Sequence, residues 1–202
     1  MTDSHYEAID AWDELISTLY GEDSKHQIEI LIERIELGLV PWLPRWTVLV
    51  GKSGTGKTTL TRIIWQMFNN VTIPMSGYKP MNYGEFNDGT LGLCLDADFH
   101  ALYEHVTKNW NHPTNYHLLV ETTREVYMPK IYERIDDEND KNIKFVNTKG
   151  SYMDDVEVIR TTGKCVSRLR YIELVNAIND GIPELKIYFR QKASADYVER
   201  RL

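Results

Sequence analysis

A glycine- and lysine-rich segment in the first third of the chain carries the clearest chemical signal. Gly51-Lys-Ser-Gly-Thr-Gly-Lys-Thr58 matches the pattern G-x-x-x-x-G-K-[ST] at every fixed position. Glycines let the backbone turn tightly and direct its N–H groups toward phosphate oxygens, and a following helix adds the positive end of its dipole. The pattern therefore predicts a loop that binds the phosphates of a nucleotide.

The residue types in this loop suggest separate roles. We expect Lys57 to reach the β- and γ-phosphates as a point charge and the Thr58 hydroxyl to ligate Mg²⁺. Thr59 is a candidate for contact with the α-phosphate. The predicted cofactors are ATP and Mg²⁺, and the predicted nucleotide-binding residues are Gly51, Ser53, Gly54, Thr55, Gly56, Lys57, Thr58 and Thr59.

A carboxylate on another strand normally helps a phosphate loop to hold magnesium through water. Asp96 follows the apolar run 91–95 and is the candidate, so the predicted metal-binding pair is Thr58 and Asp96. The alternative is that Asp96 only caps a following helix. Hydrolases commonly have a glutamate directly after this aspartate to activate water, but here the position is Ala97, and Asp98 lies one residue further on.

Polar residues also end a second apolar run, at 117–123. Thr122 or Thr123 is a candidate sensor of the γ-phosphate, and the alternative is a strand that simply runs into a polar turn. Arg124 and Arg134 are candidates for an arginine that stabilises the transferred phosphoryl group, or else are solvated or ion-paired residues. The predicted catalytic set is Lys57, Asp96, Thr123 and Arg134, and Arg134 acting in trans would require an oligomer.

Alternating strands and helices have to position these groups. Apolar and β-branched runs predict strands at 46–50, 71–74, 91–95, 117–121, 143–146 and 185–189. Helical periodicity predicts helices at 24–38, after the phosphate loop, and at 99–109, 125–135 and 167–179; Ser24 and Gln27 form a capping-box pattern. This order predicts an α/β P-loop NTPase fold, with a mostly parallel sheet flanked by helices and a helical N-terminal lead-in.

The composition is that of one globular domain. The chain has 202 residues, of which 42% are hydrophobic and 26% are charged. We divide it into a lead-in at 1–45, a P-loop core at 46–147, and a basic lid or closing segment of the same domain at 148–202. The net charge is -7, yet residues 141–202 hold 12 Lys and Arg against 8 Asp and Glu. Such a basic end can mark a surface for phosphate or nucleic acid, or simply be uneven surface charge.

Composition and spacing exclude several classes. No run approaches the roughly 20 apolar residues of a membrane span, and the acidic N-terminus lacks the basic and apolar regions of a signal peptide. Cys94 and Cys165 form neither a disulfide framework nor a zinc-binding spacing. We therefore expect a cytoplasmic protein with no membrane partner.

The order of the motifs resembles that of the AAA+ ATPases, especially the clamp-loader and helicase-loader branch. The similar part runs from about Trp12 to Val146. It includes Gly54–Thr59 as the phosphate loop, Leu95–Asp98 as the Asp-Glu-Ala-Asp segment with one residue missing, Val120–Thr123 as the first sensor and Pro129–Arg134 as the arginine-finger segment. The resemblance implies an ATPase that acts on nucleic acid or a nucleoprotein assembly, with DNA or RNA and a homo- or hetero-oligomer as candidate partners.

Two other classes stay open. Small P-loop kinases, which would transfer the γ-phosphate to a nucleotide or nucleic-acid acceptor, are of similar size. The basic residues Arg160, Lys164, Arg168 and Arg170 before Tyr171 resemble their phosphate-clamping lid. Ala97 favours instead a non-hydrolysing nucleotide-binding subunit of an ATPase ring.

Overall fold

A computed structural model describes residues 3–39, 46–76, 89–99, 101–102, 117–124, 132–135, 144–147 and 156–199. The helices are α1 (Asp3–Tyr20), α2 (Glu22–Glu36), α3 (Lys57–Met67), α4 (Arg168–Asp180) and α5 (Ile182–Glu199). The strands are β1 (Trp46–Val50), β2 (Thr72–Ser76), β3 (Leu91–Leu95), β4 (His117–Thr122), β5 (Tyr132–Ile135), β6 (Lys144–Asn147) and β7 (Val156–Arg160).

A five-stranded parallel sheet forms the centre of the fold. Its order is β2-β3-β4-β1-β7, and every neighbouring pair is parallel. Because β4 lies between β1 and β3, the carboxyl ends of the strands that precede the phosphate loop and Asp96 meet at one edge of the sheet. The predicted α/β class, with its mostly parallel sheet and its N-terminal helices, is confirmed. β5 and β6 form a separate antiparallel pair.

The two faces of the sheet pack into different hydrophobic clusters. Leu49 and Leu119 belong to the larger cluster, which also contains buried apolar residues of all five helices, whereas Val48 and Val120 belong to the smaller one. Successive side chains of a strand point to opposite faces. Glu121, two residues after Leu119, therefore lies on the face that carries the helices.

The N-terminal helices are part of the main core. The Trp12 ring packs edge-on against Phe189 of α5, with 5.3 Å between ring centroids, and its Nε1 donates to the Glu29 carboxylate on α2 at 3.4 Å. Both rings are almost completely buried. Helices α1, α2 and α5 therefore stabilise one another on one side of the sheet. Within the described residues, no helix is both long and apolar enough to span a membrane.

The strand predicted at 185–189 is wrong, because these residues belong to helix α5. Leu185, Phe189 and Ala193 are all buried, and their spacing of four residues places them on one helix face. Pro183 stands in the first turn, where its missing N–H costs nothing. The short apolar run alone does not distinguish the two structures, and packing of Phe189 on Trp12 favours the helix.

Other local predictions need correction. Helix α2 begins at Glu22 after Gly21, whose φ is 77°, so Ser24 is not its cap; the Ser24 hydroxyl donates instead to the Arg160 carbonyl at 3.3 Å. Residues 132–135 of the helix predicted at 125–135 form strand β5. Positions 125–131 and most of the helix predicted at 99–109 lie outside the described residues. Strand β7 was not predicted, although it pairs with β1 along its whole length.

Candidate nucleotide-binding site

The predicted phosphate loop connects β1 to α3 and is held by contacts on three sides. Gly56 precedes α3 with a φ of 90°, and a Cβ at this position would lie 2.4 Å from Leu19 Cδ1 on α1. The Gly51 N–H donates to the Thr122 carbonyl at 3.2 Å, and a Cβ on Gly51 would lie 2.1 Å from Thr161 Oγ1. Glycine is therefore required at both positions, at Gly56 for its left-handed conformation and at Gly51 for the close approach.

Lys57 is buried at the start of α3, with 7% of its surface exposed. Its Nζ donates to the carbonyls of Gly51 at 2.6 Å and Lys52 at 2.9 Å. Burial lowers the pKa of Lys57, while the Glu121 and Asp96 carboxylates act in the opposite direction. The ammonium group is thus held beneath the loop, where phosphate oxygens would be stronger, charge-assisted acceptors.

Thr58 contacts a carboxylate that the sequence did not single out. Its Oγ1 donates to Glu121 Oε2 at 2.7 Å. Glu121 is only 2% exposed, and its Oε1 has no hydrogen-bond partner among the described residues. The backbone carbonyl of Glu121 accepts from the Ala97 N–H at 2.8 Å, which joins the end of β4 to the turn after β3.

The turn after β3 separates the two aspartates. Asp96 has a φ of 48° and lines the same cavity as Lys57 and Thr58. Asp98 instead accepts from the Ala101 N–H at 3.2 Å and pairs with Arg124 at 2.5 Å. The position of Asp96 is therefore compatible with the predicted metal role, whereas Asp98 is engaged in capping and in an ion pair.

Thr123 and Thr122 also differ in position. Thr123 is exposed and lines the cavity. Thr122 is buried, and its Oγ1 accepts from the Arg124 N–H at 3.2 Å. Of the two threonines, only Thr123 is placed to contact a ligand there, and its role as a sensor stays a prediction.

One open cavity of about 320 Å³ collects most of the predicted residues. Its lining consists of Ser53, Gly54, Gly56, Lys57, Thr58, Thr59, Asp96, Glu121, Thr123 and Tyr171. Gly51 and Thr55 do not line the cavity, but they help to fix the conformation of the loop, in which Thr55 Oγ1 donates to the Lys52 carbonyl at 2.8 Å. Arg134 lies on β5, at the register position opposite Phe145 on β6, and its proposed role stays a prediction.

Glu121 and Tyr171 also line this site, although neither was predicted to do so from its residue type and spacing. The Tyr171 hydroxyl on α4 is hydrogen-bonded to the Thr59 hydroxyl, so the C-terminal part of the chain contacts the loop. Nothing in the local sequence shows this contact. For Glu121 the one available signal is its place at the end of an otherwise apolar strand, where a carboxylate that becomes buried needs a partner.

The arginines that resemble a kinase lid are not gathered at the cavity. Arg170 donates to Glu14 on α1 at 2.9 and 2.5 Å and to Glu173 at 3.1 Å. It lines a separate pocket, together with acidic residues of α1. Of the basic segment and the tyrosine that follows it, only Tyr171 lines the phosphate-loop cavity.

The donor atoms in the cavity suit Mg²⁺ bound together with a nucleotide. A hydroxyl from Thr58 and carboxylates from Asp96 and Glu121 are the hard oxygen ligands that this ion prefers, and Mg²⁺ usually binds through one or two carboxylates plus substrate phosphates. In the parts of the chain that the structure describes, no group of three or more His, Cys, Asp or Glu could hold a metal by itself. The unpartnered Glu121 Oε1 is consistent with a cation that arrives with its ligand.

Comparison with known proteins supports the fold. No protein-family model matches the sequence, and no curated protein matches it. Among solved structures, the chain is similar to the apo A form of the NrS-1 C-terminal region, with a TM-score of 0.55 and 12% identity over 90% of this chain and 45% of that one. A second structure of that region, covering 305–718, gives a TM-score of 0.44 and 14% identity over 84% and 42%.

This likeness shows the architecture alone, because the sequence identity is low. The chain spans less than half the length of the NrS-1 region that it matches. The class that the fold defines is an α/β domain with a parallel sheet and N-terminal helices.

Proposed function

We propose that this protein is a Mg²⁺-dependent, ATP-binding P-loop NTPase of the AAA+-like type. The observation that carries the proposal is the convergence at one cavity of Lys57 and Thr58, at the start of α3, with carboxylates at the ends of β3 and β4. Positive charge, backbone N–H groups and oxygen ligands for a cation are the three elements that a nucleotide triphosphate requires.

Each group has a proposed role. The 51–58 backbone and Lys57 bind phosphate oxygens, Thr58 and Asp96 hold Mg²⁺, and Thr123 contacts the γ-phosphate. The metal ion, when bound, neutralises charge that develops on the transferred phosphoryl group. We also propose that the protein acts on nucleic acid or a nucleoprotein assembly. The support is the order of its motifs and the exposed basic residues Lys164 and Arg168.

Equilibrium binding of a fluorescent ATP analogue with excess Mg²⁺ tests the site. Lys57→Ala should weaken binding by about 100-fold or more, since charge-assisted bonds to phosphate contribute roughly 1.5–3 kcal/mol each. Lys52→Ala is the matched control, because Lys52 is an exposed lysine of the same loop and its side chain does not line the cavity. Equal affinities for wild type and Lys57→Ala, or no binding by wild type, would refute the proposal.

The fate of γ-labelled ATP then distinguishes the classes that the sequence left open. The reaction is followed with Mg²⁺ alone, with single- and double-stranded DNA, with RNA, and with nucleoside monophosphates. Free phosphate whose release is stimulated by nucleic acid is the expected result. Label on a nucleotide or on DNA would identify a kinase, and tight binding without release or transfer would identify a non-hydrolysing subunit.

A further inference from the structure

Glu121 is a buried carboxylate in the nucleotide site to which the proposed roles give no task. We propose that Glu121 is a positioning residue for bound Mg²⁺: Oε2 fixes the Thr58 hydroxyl, and Oε1 accepts a hydrogen bond from the water shell of the metal. The inference rests on the proposed function and deepens it. The turn after β3 has no carboxylate at Ala97, and the proposal gives a role at the metal to Glu121 on the neighbouring strand β4.

The hydrogen bond that Thr58 donates determines where the lone pairs of the Thr58 hydroxyl oxygen point. A hydroxyl has one proton to donate and two lone pairs that accept. The Thr58 proton goes to Glu121 Oε2 at 2.7 Å, so the lone pairs of Oγ1 remain available to a cation. Outer partners of this kind orient metal ligands, and their mutation typically costs about 10–100-fold in metal affinity.

The second carboxylate oxygen of Glu121, Oε1, receives no hydrogen bond from the described residues. Buried polar atoms are nearly always hydrogen-bonded, yet Oε1 is buried without a partner in the described part of the chain. The two hydrogen bonds of Lys57 Nζ go to the Gly51 and Lys52 carbonyls rather than to this oxygen. Mg²⁺ usually keeps several of its waters, and a water of that shell is a suitable donor to Oε1.

The backbone places Glu121 beside the position that lacks a carboxylate. The Ala97 N–H donates to the Glu121 carbonyl at 2.8 Å, so residues 97 and 121 are neighbours at adjacent strand ends. Alternation along β4 turns Glu121 toward the start of α3, as its bond to Thr58 shows. The backbones at positions 97 and 121 are therefore joined, and the carboxylate that is directed at Thr58 comes from β4.

The test compares wild type with Glu121→Gln and a matched control, Glu157→Gln. Glutamine keeps the length of Glu121 and an oxygen that accepts from Thr58, but removes the charge. Glu157 is a partly buried glutamate on β7 of the same sheet and does not line the cavity. For each protein, the affinity for the fluorescent ATP analogue is measured in excess EDTA and in excess Mg²⁺. Binding of Mn²⁺ to the nucleotide complex is followed by electron paramagnetic resonance.

Glu121→Gln is expected to bind the analogue in EDTA within about twofold of wild type, whereas its Mn²⁺ affinity in the complex falls by about 10-fold or more. Glu157→Gln should match wild type in both measurements. Unchanged metal affinity in Glu121→Gln would overturn the inference. So would equal losses with and without metal, or loss of the native circular dichroism spectrum, because both would make Glu121 a structural residue. Failure of wild type to bind ATP would refute the proposed function itself, and with it this inference.

Discussion

Replacing Gly56 with alanine tests whether helix α1 holds the phosphate loop in shape. Gly56 has a φ of 90°, and an added Cβ would lie 2.4 Å from Leu19 Cδ1. The left-handed conformation costs an L-residue about 1–2 kcal/mol. A carbon–carbon contact is optimal near 3.5–4.0 Å, so the buried Leu19 side chain has to shift, and forcing an extra methyl into a packed core costs about 1–3 kcal/mol.

The two contributions together predict a loss of about 2–5 kcal/mol in the free energy of unfolding. In a chain of this size, each 1 kcal/mol lowers Tm by about 2–4 °C. The assay is urea denaturation followed by circular dichroism, which gives the free energy directly, with a thermal melt alongside.

Gly54→Ala separates the two contributions. Gly54 also has a positive φ, of 79°, but a Cβ there would meet no atom within 4 Å. We therefore expect Gly54→Ala to cost only the backbone part, about 1–2 kcal/mol. In a Leu19→Ala background, Gly56→Ala should cost no more than that. Equal losses for the two glycine variants in the wild-type background, or no relief by Leu19→Ala, would refute the packing argument.

Two further predictions test the packing of α5. Lys192→Met removes the ammonium group that lies 2.6 Å from Glu29 and 3.4 Å from Glu33, and both glutamates are buried. The free energy of unfolding, measured by urea denaturation, should fall by about 1–3 kcal/mol, a moderate loss because Lys192 is partly exposed. Burial lowers the pKa of Lys192, but its hydrogen bond to Glu29 and the negative charges of Glu29 and Glu33 outweigh this effect and raise the pKa. The loss of stability in Lys192→Met should therefore be full at neutral pH and shrink only above about pH 10.5, where Lys192 of the wild type begins to lose its proton. A loss that stays constant with pH would contradict this. Phe189→Ala should cost about 3–5 kcal/mol and change the near-UV circular dichroism signal of Trp12, and a loss below about 1 kcal/mol would contradict the buried position of the ring.

Several features could be read from the sequence because local rules determine them. Strand β3 was predicted with the bounds that the structure has, since its apolar run is short and is followed by a polar turn. The turn between β1 and α3 was predicted because the glycine spacing reflects backbone requirements at particular positions, as Gly56 shows with its φ of 90°. The α/β class followed from the alternation of such elements.

Long-range packing determined the rest. The short apolar run 185–189 is compatible with a strand and with a helix. Packing of Phe189 against Trp12, which is far away in the sequence, favours the helix. Strand β7 is recognisable chiefly by its pairing with β1. Tyr171 reaches Thr59 only because α4 packs near the loop.

The sequence by itself determined the glycine-rich loop between β1 and α3 and the class of fold, because glycine spacing and hydrophobic periodicity act over a few residues. Only the tertiary structure decided which carboxylate meets the loop. The order of strands in a sheet depends on contacts between distant segments, and placing β4 between β1 and β3 brings Glu121 to Thr58, 63 positions away in the chain.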